Sequence, residues 1–346
     1  MRPEIVAVDL FCGAGGLSYG LQQSGISVAA GVDSDPTCEY PFASNIEAPF
    51  LGVDVRDVTA DHLNRLWRRA SFRLLAGCAP CQPFSMYRRG QDTTAEPQWS
   101  LLGEFGRLVT EAEPDLITME NVPRIVSAAV FQDFVSQLRG TGYFVDYRSC
   151  NGTDFGLAQR RSRLVLVASR LGPVQVPRPS KARARTVRDE IAPLPVLKSG
   201  QADASDPLHR ARALSPLNIR RIRASRPGGT WEEWPTELRA PCHRRRSGAT
   251  FRNVYARMEW DKPAPTITTL AFNFGTGRFG HPEQDRAITL REAAVLQGFP
   301  PKYRFVRPGE PVYMTRIGRL IGNAVPPPLA AAVGGTLVSH VAEVAA

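Results

Sequence analysis

Cys81 stands in the stretch Gly77-Cys78-Ala79-Pro80-Cys81-Gln82-Pro83-Phe84-Ser85, just past the apolar run Phe72, Leu74, Leu75 and Ala76. That run reads as a buried parallel strand, and the polar and aromatic residues after it cannot prolong it. The thiol is therefore expected at the carboxyl edge of a sheet, where open α/β folds bind their ligands. Pro80 and Pro83 restrict the backbone on both sides and keep helix away, the pattern of a rigidly presented nucleophile. Cys78-Ala79-Pro80-Cys81 is also formally a Cys-x-x-Cys pair, open to a redox or a zinc reading. Zinc would want a second pair of ligands. Cys12, Cys38, Cys150 and Cys242 are isolated and the five histidines show no metal spacing, so no metal is expected. A redox site would want its second cysteine entering a helix, and Gln82-Pro83-Phe84 starts one poorly.

Glu120-Asn121-Val122 follows a second apolar run, Leu116–Met119, which places Glu120 on the same carboxyl edge as Cys81. A thiol and a carboxyl at neighbouring strand ends can attack and protonate one substrate. Gln159-Arg160-Arg161-Ser162-Arg163 leads into another strand; in an extended stretch Arg161 and Arg163 share a face, which suits a carbonyl or phosphate oxygen near that edge. The first turn reads Asp9-Leu10-Phe11-Cys12-Gly13-Ala14-Gly15-Gly16-Leu17-Ser18. Glycines after a strand let the backbone approach a ligand at a helix N-terminus. There is no phosphate-binding Lys-Ser/Thr, and the spacing departs from the dinucleotide fingerprint. Asp33 closes the second strand, where an acid can hydrogen-bond a ribose hydroxyl pair. Asp54, at the end of the third, can accept from an adenine amino group. An adenosine ligand without pyrophosphate fits best, with S-adenosylmethionine the leading candidate.

These residues need a scaffold, and the first 170 residues supply its pattern. Strands are expected at Ile5–Phe11, Val28–Val32, Leu51–Val53, Arg73–Ala76, Leu116–Met119 and Arg163–Ala168, with helices at Leu17–Gln23, Cys38–Asn45, Leu101–Glu111 and Phe131–Leu138. Such alternation predicts a doubly wound, mostly parallel sheet, a Rossmann-like α/β fold. Residues 172–250 break the pattern. They are dense in Pro, Gly, Arg and Ser, yet keep anchors such as Leu194, Trp231, Phe251 and Tyr255, which predicts an inserted, loop-rich domain. Thr289 with Glu292 three residues on is a capping box for a helix over Thr289–Gln297. Pro326–Val341 reads as a helix packing back on the sheet.

The net charge of +10 is unevenly placed: residues 170–286 hold 22 Lys plus Arg against 11 Asp plus Glu. A neutral domain joined to a basic one implies a polyanion partner, nucleic acid first among them. No apolar run approaches a membrane span, Met1-Arg2-Pro3-Glu4 leads straight into a strand, and six scattered cysteines suit a reducing compartment. A cytoplasmic, nucleoid-associated monomer of a prokaryote is the expectation, with no membrane partner.

The ordered motifs resemble those of the DNA (cytosine-5) methyltransferases along the whole chain. Asp9–Gly16 resembles that family's first motif, Gly77–Ser85 its catalytic Pro-Cys loop, Glu120-Asn121-Val122 its acid motif and Gln159–Arg163 its Gln-Arg-x-Arg motif. Arg286–Pro300 and Arg319–Leu329 resemble the ninth and tenth motifs. The resemblance implies the S-adenosylmethionine-dependent methyltransferase fold, divided into a catalytic and cofactor-binding domain (1–172), a smaller irregular target-recognition domain (173–285), a hinge with the ninth-motif helix (286–318) and a returning C-terminal segment (319–346). It implies methyl transfer from S-adenosylmethionine to C5 of a cytosine flipped out of a specific double-stranded DNA site. Cys81 would be the nucleophile and Glu120 the acid, with Arg161 and Arg163 catalytic. Phe11, Gly13, Gly15, Gly16, Leu17, Asp33, Asp54, Val55, Pro80, Asn323 and Val325 would hold the cofactor. Gln82, Ser85, Arg88, Arg89 and the cluster Arg244-Arg245-Arg246 would contact DNA, within a loop over Tyr87–Ser100 and the basic insert. A cognate restriction endonuclease is an implied functional partner. Three other readings compete. The tRNA-methylating branch of the fold carries a Cys-Phe-Thr signature absent here. A catalytically silent, cofactor-sensing DNA-binding protein sits poorly with intact Cys81, Glu120 and Arg163. A nicotinamide oxidoreductase would want different glycine spacing.

Overall fold

The computed structural model describes residues 4–80, 99–180, 183–245 and 251–345. These fall into two compact units: Met1–Phe155 with Ser162–Lys181 and Ala324–Ala346, and Gly156–Arg161 with Ala182–Asn323. The second unit thus takes in the ninth-motif helix and the chain up to Asn323.

The first unit is built on a seven-stranded sheet in the order β3-β2-β1-β4-β5-β7-β6. The strands are β1 Ile5–Leu10, β2 Ser27–Val32, β3 Phe50–Leu51, β4 Phe72–Gly77, β5 Leu116–Asn121, β6 Phe144–Asn151 and β7 Ser162–Ser169. Strands β1 to β5 pair in parallel, and β7 runs antiparallel to both β5 and β6. Strand alternation divides the apolar residues cleanly between two faces. Val6, Val8, Leu10, Leu75, Ile117 and Met119 pack against α3 (Ala60–Leu66), α4 (Trp99–Ala112) and α5 (Ala129–Gly140). Ile5, Ala7, Leu74, Ala76, Leu116, Val165 and Val167 face the opposite layer, which contains α1 (Gly16–Gln23), α2 (Glu39–Asn45) and the C-terminal helix Pro327–Val344. The winding reverses between β1 and β4, the position at which an open sheet leaves a crevice at its carboxyl edge.

The C-terminal helix does pack back, and closely: a Cβ added at Gly20 of α1 would lie 2.4 Å from both Ala330 Cβ and Pro327 O. By length and composition alone Met314–Val344 passes for a membrane span. More than half of its 18-residue window, 56%, is buried inside the protein, as in the core helix of a globular protein.

The second unit has no strand among its described residues. It has short helices at Val187–Ile191 (α6), Pro216–Ala224 (α7) and Leu290–Leu296 (α8), a longer one at Met314–Asn323 (α9), and isolated bridges. Loops without a ladder leave carbonyls to be satisfied, and buried arginines supply the donors. Arg257 alone donates to the carbonyls of Ile222, Ser225, His281 and Gln284 and pairs with Asp285. Part of the insert's positive charge is therefore internal scaffolding. Its aromatic core gathers Trp231, Trp234, Phe274 and Tyr255, with the His243 ring stacked 4.3 Å from that of Trp231.

The predicted capping box is present: Thr289 Oγ1 accepts from Glu292 N at 3.1 Å, and Glu292 Oε2 accepts from Thr289 N at 2.7 Å. The same carboxylate takes both Arg286 Nη atoms at 2.7 Å in a fully buried pair. Burial would push the Glu292 carboxyl up, but the Arg286 bonds outweigh it and hold it below the ordinary value. Glu292→Ala strips Arg286 of its counter-charge as well as the cap, so a loss of about 3–5 kcal/mol is expected. Chemical denaturation, read by tryptophan fluorescence of this unit, measures it.

Candidate active site

The site begins where β4 and β5 end side by side. Gly77 pairs with Met119, and two further residues extend β5, so Glu120 and Asn121 lie inside the strand rather than after it as the sequence had suggested. Both belong to the antiparallel ladder with β7, Glu120 opposite Val165 and Asn121 opposite Leu164. By alternation Glu120 shares a face with Leu116, and Arg163 shares it with Val165 and Val167, two residues diagonally along β7. Cys78, beyond the end of β4, continues the parity of Leu74 and Ala76. Three side chains from three adjacent strands therefore converge on one face.

Their distances are short. Cys78 Sγ donates to Glu120 Oε2 at 3.2 Å. Arg163 Nε lies 3.0 Å from Glu120 Oε1. That contact is an ion pair without the alignment of a hydrogen bond, and Oε1 is left as a buried acceptor that takes no hydrogen bond from the described residues. The Glu120 side chain is only 7% exposed, so an acceptor left unmet there is costly unless a substrate donor fills it. Asn121 Nδ2 donates to Ala79 O at 3.1 Å and its Oδ1 accepts from Val122 N, tying the two strand ends together.

Arg161 takes a different place from the one expected. It precedes β7, belongs to the second unit, and donates from Nη1 to Ile267 O at 3.0 Å and from Nη2 to Gly322 O at 2.9 Å. With 2% of the residue exposed, its guanidinium holds backbone together. Arg161 and Arg163 fall in different units. Their neighbour Gln159 likewise binds Leu296 O and Gln297 inside the second unit.

The glycine-rich turn after β1 is shaped for a ligand. Phe11, Gly13 and Gly15 all have left-handed backbones, with φ of 58°, 54° and 87°. Phe11 pays a steric cost there that glycine avoids, and such outliers cluster at binding sites. A Cβ on Gly13 would meet none of the described residues within 4 Å. Gly15 caps α1, whose first residues are Gly16 and Leu17. Asp9 pins the turn from below, its Oδ2 accepting from Ser18 Oγ at 2.6 Å, and burial pushes its carboxyl up to about 7. Asp33 follows β2; its Oδ2 accepts from Gly13 N and its Oδ1 from Asp35 N, both at 2.9 Å. The carboxylate thus belongs to the turn, a role the sequence did not show. Asp54 lies three residues past β3 and caps the turn Val55–Asp57, with both oxygens on Arg56 at 2.9 and 2.7 Å. Side-chain hydrogen bonds from Arg56 lower its pKa. Val55 is buried in the core, Pro80 is exposed, Asn323 ends α9 in the second unit and Val325 is buried in the first.

Cys81, Gln82, Ser85, Arg88, Arg89 and Arg246 lie outside the described residues. Arg244 and Arg245 are exposed, with Arg244 Nη2 donating to Thr236 O at 2.8 Å.

The model of the C-5 cytosine-specific DNA methylases matches residues 5–339. The chain belongs to that family. The Type II methylase M.HgiDII of Herpetosiphon aurantiacus is 46% identical over 324 residues, covering 92% of this chain and 91% of that protein. The Type II methyltransferase M1.HphI of Haemophilus parahaemolyticus is 31% identical over 336 residues, covering 95% and 86%. Among solved structures, a candidate DNA modification methyltransferase encoded within an E. coli prophage superposes with a TM-score of 0.75 at 22% identity, over 97% of this chain and 99% of the other. The Dnmt2 methyltransferase of S. pombe gives 0.65 at 17% identity, over 98% of each chain, a likeness of fold. The methylase fold thus carries both the turn after β1 and the strand ends at β4, β5 and β7.

Proposed function

We propose that this methylase transfers a methyl group from S-adenosylmethionine to C5 of a flipped-out cytosine in duplex DNA, through a covalent bond between Cys81 and C6. The observation that carries the reading is the buried Glu120 carboxyl, held from two sides with Oε1 lacking a hydrogen-bond donor among the described residues. A base extruded from the stack brings such a donor on its Watson–Crick edge. Glu120 would hold N3 and the exocyclic amine, and Arg163 the O2 side. Cys81 thiolate adds to C6, the ring electrons move to C5, and after transfer the C5 proton leaves while the S–C6 bond breaks.

The turn after β1 fits the cofactor. A Cβ at Gly13 would meet no described residue within 4 Å, Gly15 and the following N–H groups sit at the start of α1, and the Asp33 carboxylate stands beside Gly13 as the acceptor proposed for ribose hydroxyls. When bound, S-adenosylmethionine supplies an electrophilic methyl group. Asp33→Ala removes both the ribose acceptor and the Gly13 anchor, and calorimetry is expected to show affinity weaker by roughly 1–3 kcal/mol; unchanged affinity would remove Asp33 from the site.

The exposed arginines at 244 and 245 are read as phosphate contacts. Their replacement by alanine is expected to weaken cognate and scrambled duplexes alike and to flatten the plot of log K against log salt, each lost contact removing a slope of about 0.9. Isotherms at several salt concentrations measure both. Methylation itself is tested by bisulfite sequencing of plasmid DNA from cells expressing the protein: protected cytosines recurring in one sequence context are expected, and uniformly converted DNA would refute the reading.

A further inference from the structure

Cys78 has a place in the site that the catalytic reading leaves unused. As half of a Cys-x-x-Cys pair it suggested redox or metal chemistry. Its thiol instead turns toward a carboxylate that comes 42 residues later in the chain, at 3.2 Å. We infer that Cys78 is a positioning residue for methyl transfer: its S–H and the Arg163 guanidinium grip the two oxygens of Glu120 from opposite sides and fix the plane in which the carboxyl meets the base.

The geometry requires some such device. A glutamate has three side-chain torsions, and the last is broad, so burial alone does not set the carboxyl plane. Arg163 is within ion-pair distance of Oε1 but is not aligned with it, so it attracts that oxygen without fixing its direction. Cys78 supplies a directed bond to Oε2. Its backbone is itself held, because Cys78 N donates to Leu10 O and Ala79 O is bound by Asn121. A thiol is a weak donor. Its part is to set the direction of Oε2, at 3.2 Å, rather than to bind the carboxyl tightly.

The inference rests on Glu120 acting on the base, and the test separates the two. Single-turnover methyl transfer, KM for DNA and cofactor affinity are measured for Cys78→Ala, Cys78→Ser and Glu120→Gln. Cys78→Ala is expected to slow transfer roughly fivefold to tenfold, the worth of one ordinary hydrogen bond, with KM for DNA and cofactor affinity unchanged. Cys78→Ser, which keeps a donor, restores most of the rate. A Cys78→Ala rate within twofold of the parent, beside a slow Glu120→Gln, overturns the inference alone. A Glu120→Gln rate equal to the parent's overturns the catalytic reading and the inference with it.

Discussion

Glu120→Gln is expected to slow methyl transfer by about 10²–10⁴-fold, the ordinary worth of a general acid. The amide occupies the same volume between Cys78 and Arg163, so the strand ends and the cofactor turn stay as they are. It has no proton to deliver to N3 as charge builds in the ring. It also presents an NH₂ group either to the Cys78 thiol or to the base, and one of the two then faces a donor where it needs an acceptor. Rapid-quench single turnovers with saturating cofactor read the chemical step directly. A rate within a few-fold of the parent would mean that the buried carboxyl only braces β5 against β7.

Cys81→Ser is expected to abolish turnover while cofactor affinity stays near normal. A thiol of ordinary pKa, about 8.5, is a few per cent thiolate at neutral pH and intrinsically very nucleophilic. A serine hydroxyl needs a base, and nothing in Gly77–Ser85 resembles one. DNA carrying 5-fluorocytosine at the target cannot lose the C5 substituent, so it holds the covalent adduct with the parent protein. Denaturing electrophoresis is expected to show the shifted band for the parent and none for the serine variant. A band that persists would place the nucleophile elsewhere.

Much of this site was legible before any coordinates, for local reasons. Short apolar runs in Ile5–Phe11 and Leu116–Met119 marked buried strands, the glycines after Leu10 marked a backbone approach, and Thr289 with Glu292 spelled a helix start. What stayed hidden is non-local or weakly patterned. Strand β6, Phe144–Asn151, is mostly half-exposed and rich in polar residues, so no period of two stands out. Helix α3 buries a single residue, Leu63. Arg161 looked like a partner of Arg163 because extended backbone puts alternate residues on one face. Its actual partners are carbonyls 106 and 161 residues away. The bond from Cys78 to Glu120 likewise depends on two strands lying side by side, and no spacing in the chain announces it. Asp54 was expected at a strand end, but β3 stops after two residues and the acid belongs to the next turn.

The contact between Gly20 and the helix Pro327–Val344 has a consequence for synthesis. The first helix after the glycine-rich turn and the helix that covers it are separated by roughly 300 residues. At ~5–20 residues per second, a ribosome spends on the order of 15–60 s between making the two. Throughout that interval Leu17, Leu21 and the adjoining sheet face lack their cover. The nascent chain therefore carries an open apolar seam beside its cofactor turn and closes it only when that helix emerges. Maturation of the cofactor half thus waits on the synthesis of Pro327–Val344, and premature termination anywhere before Pro327 leaves a chain with β1 and its turn but without the wedge that seats them.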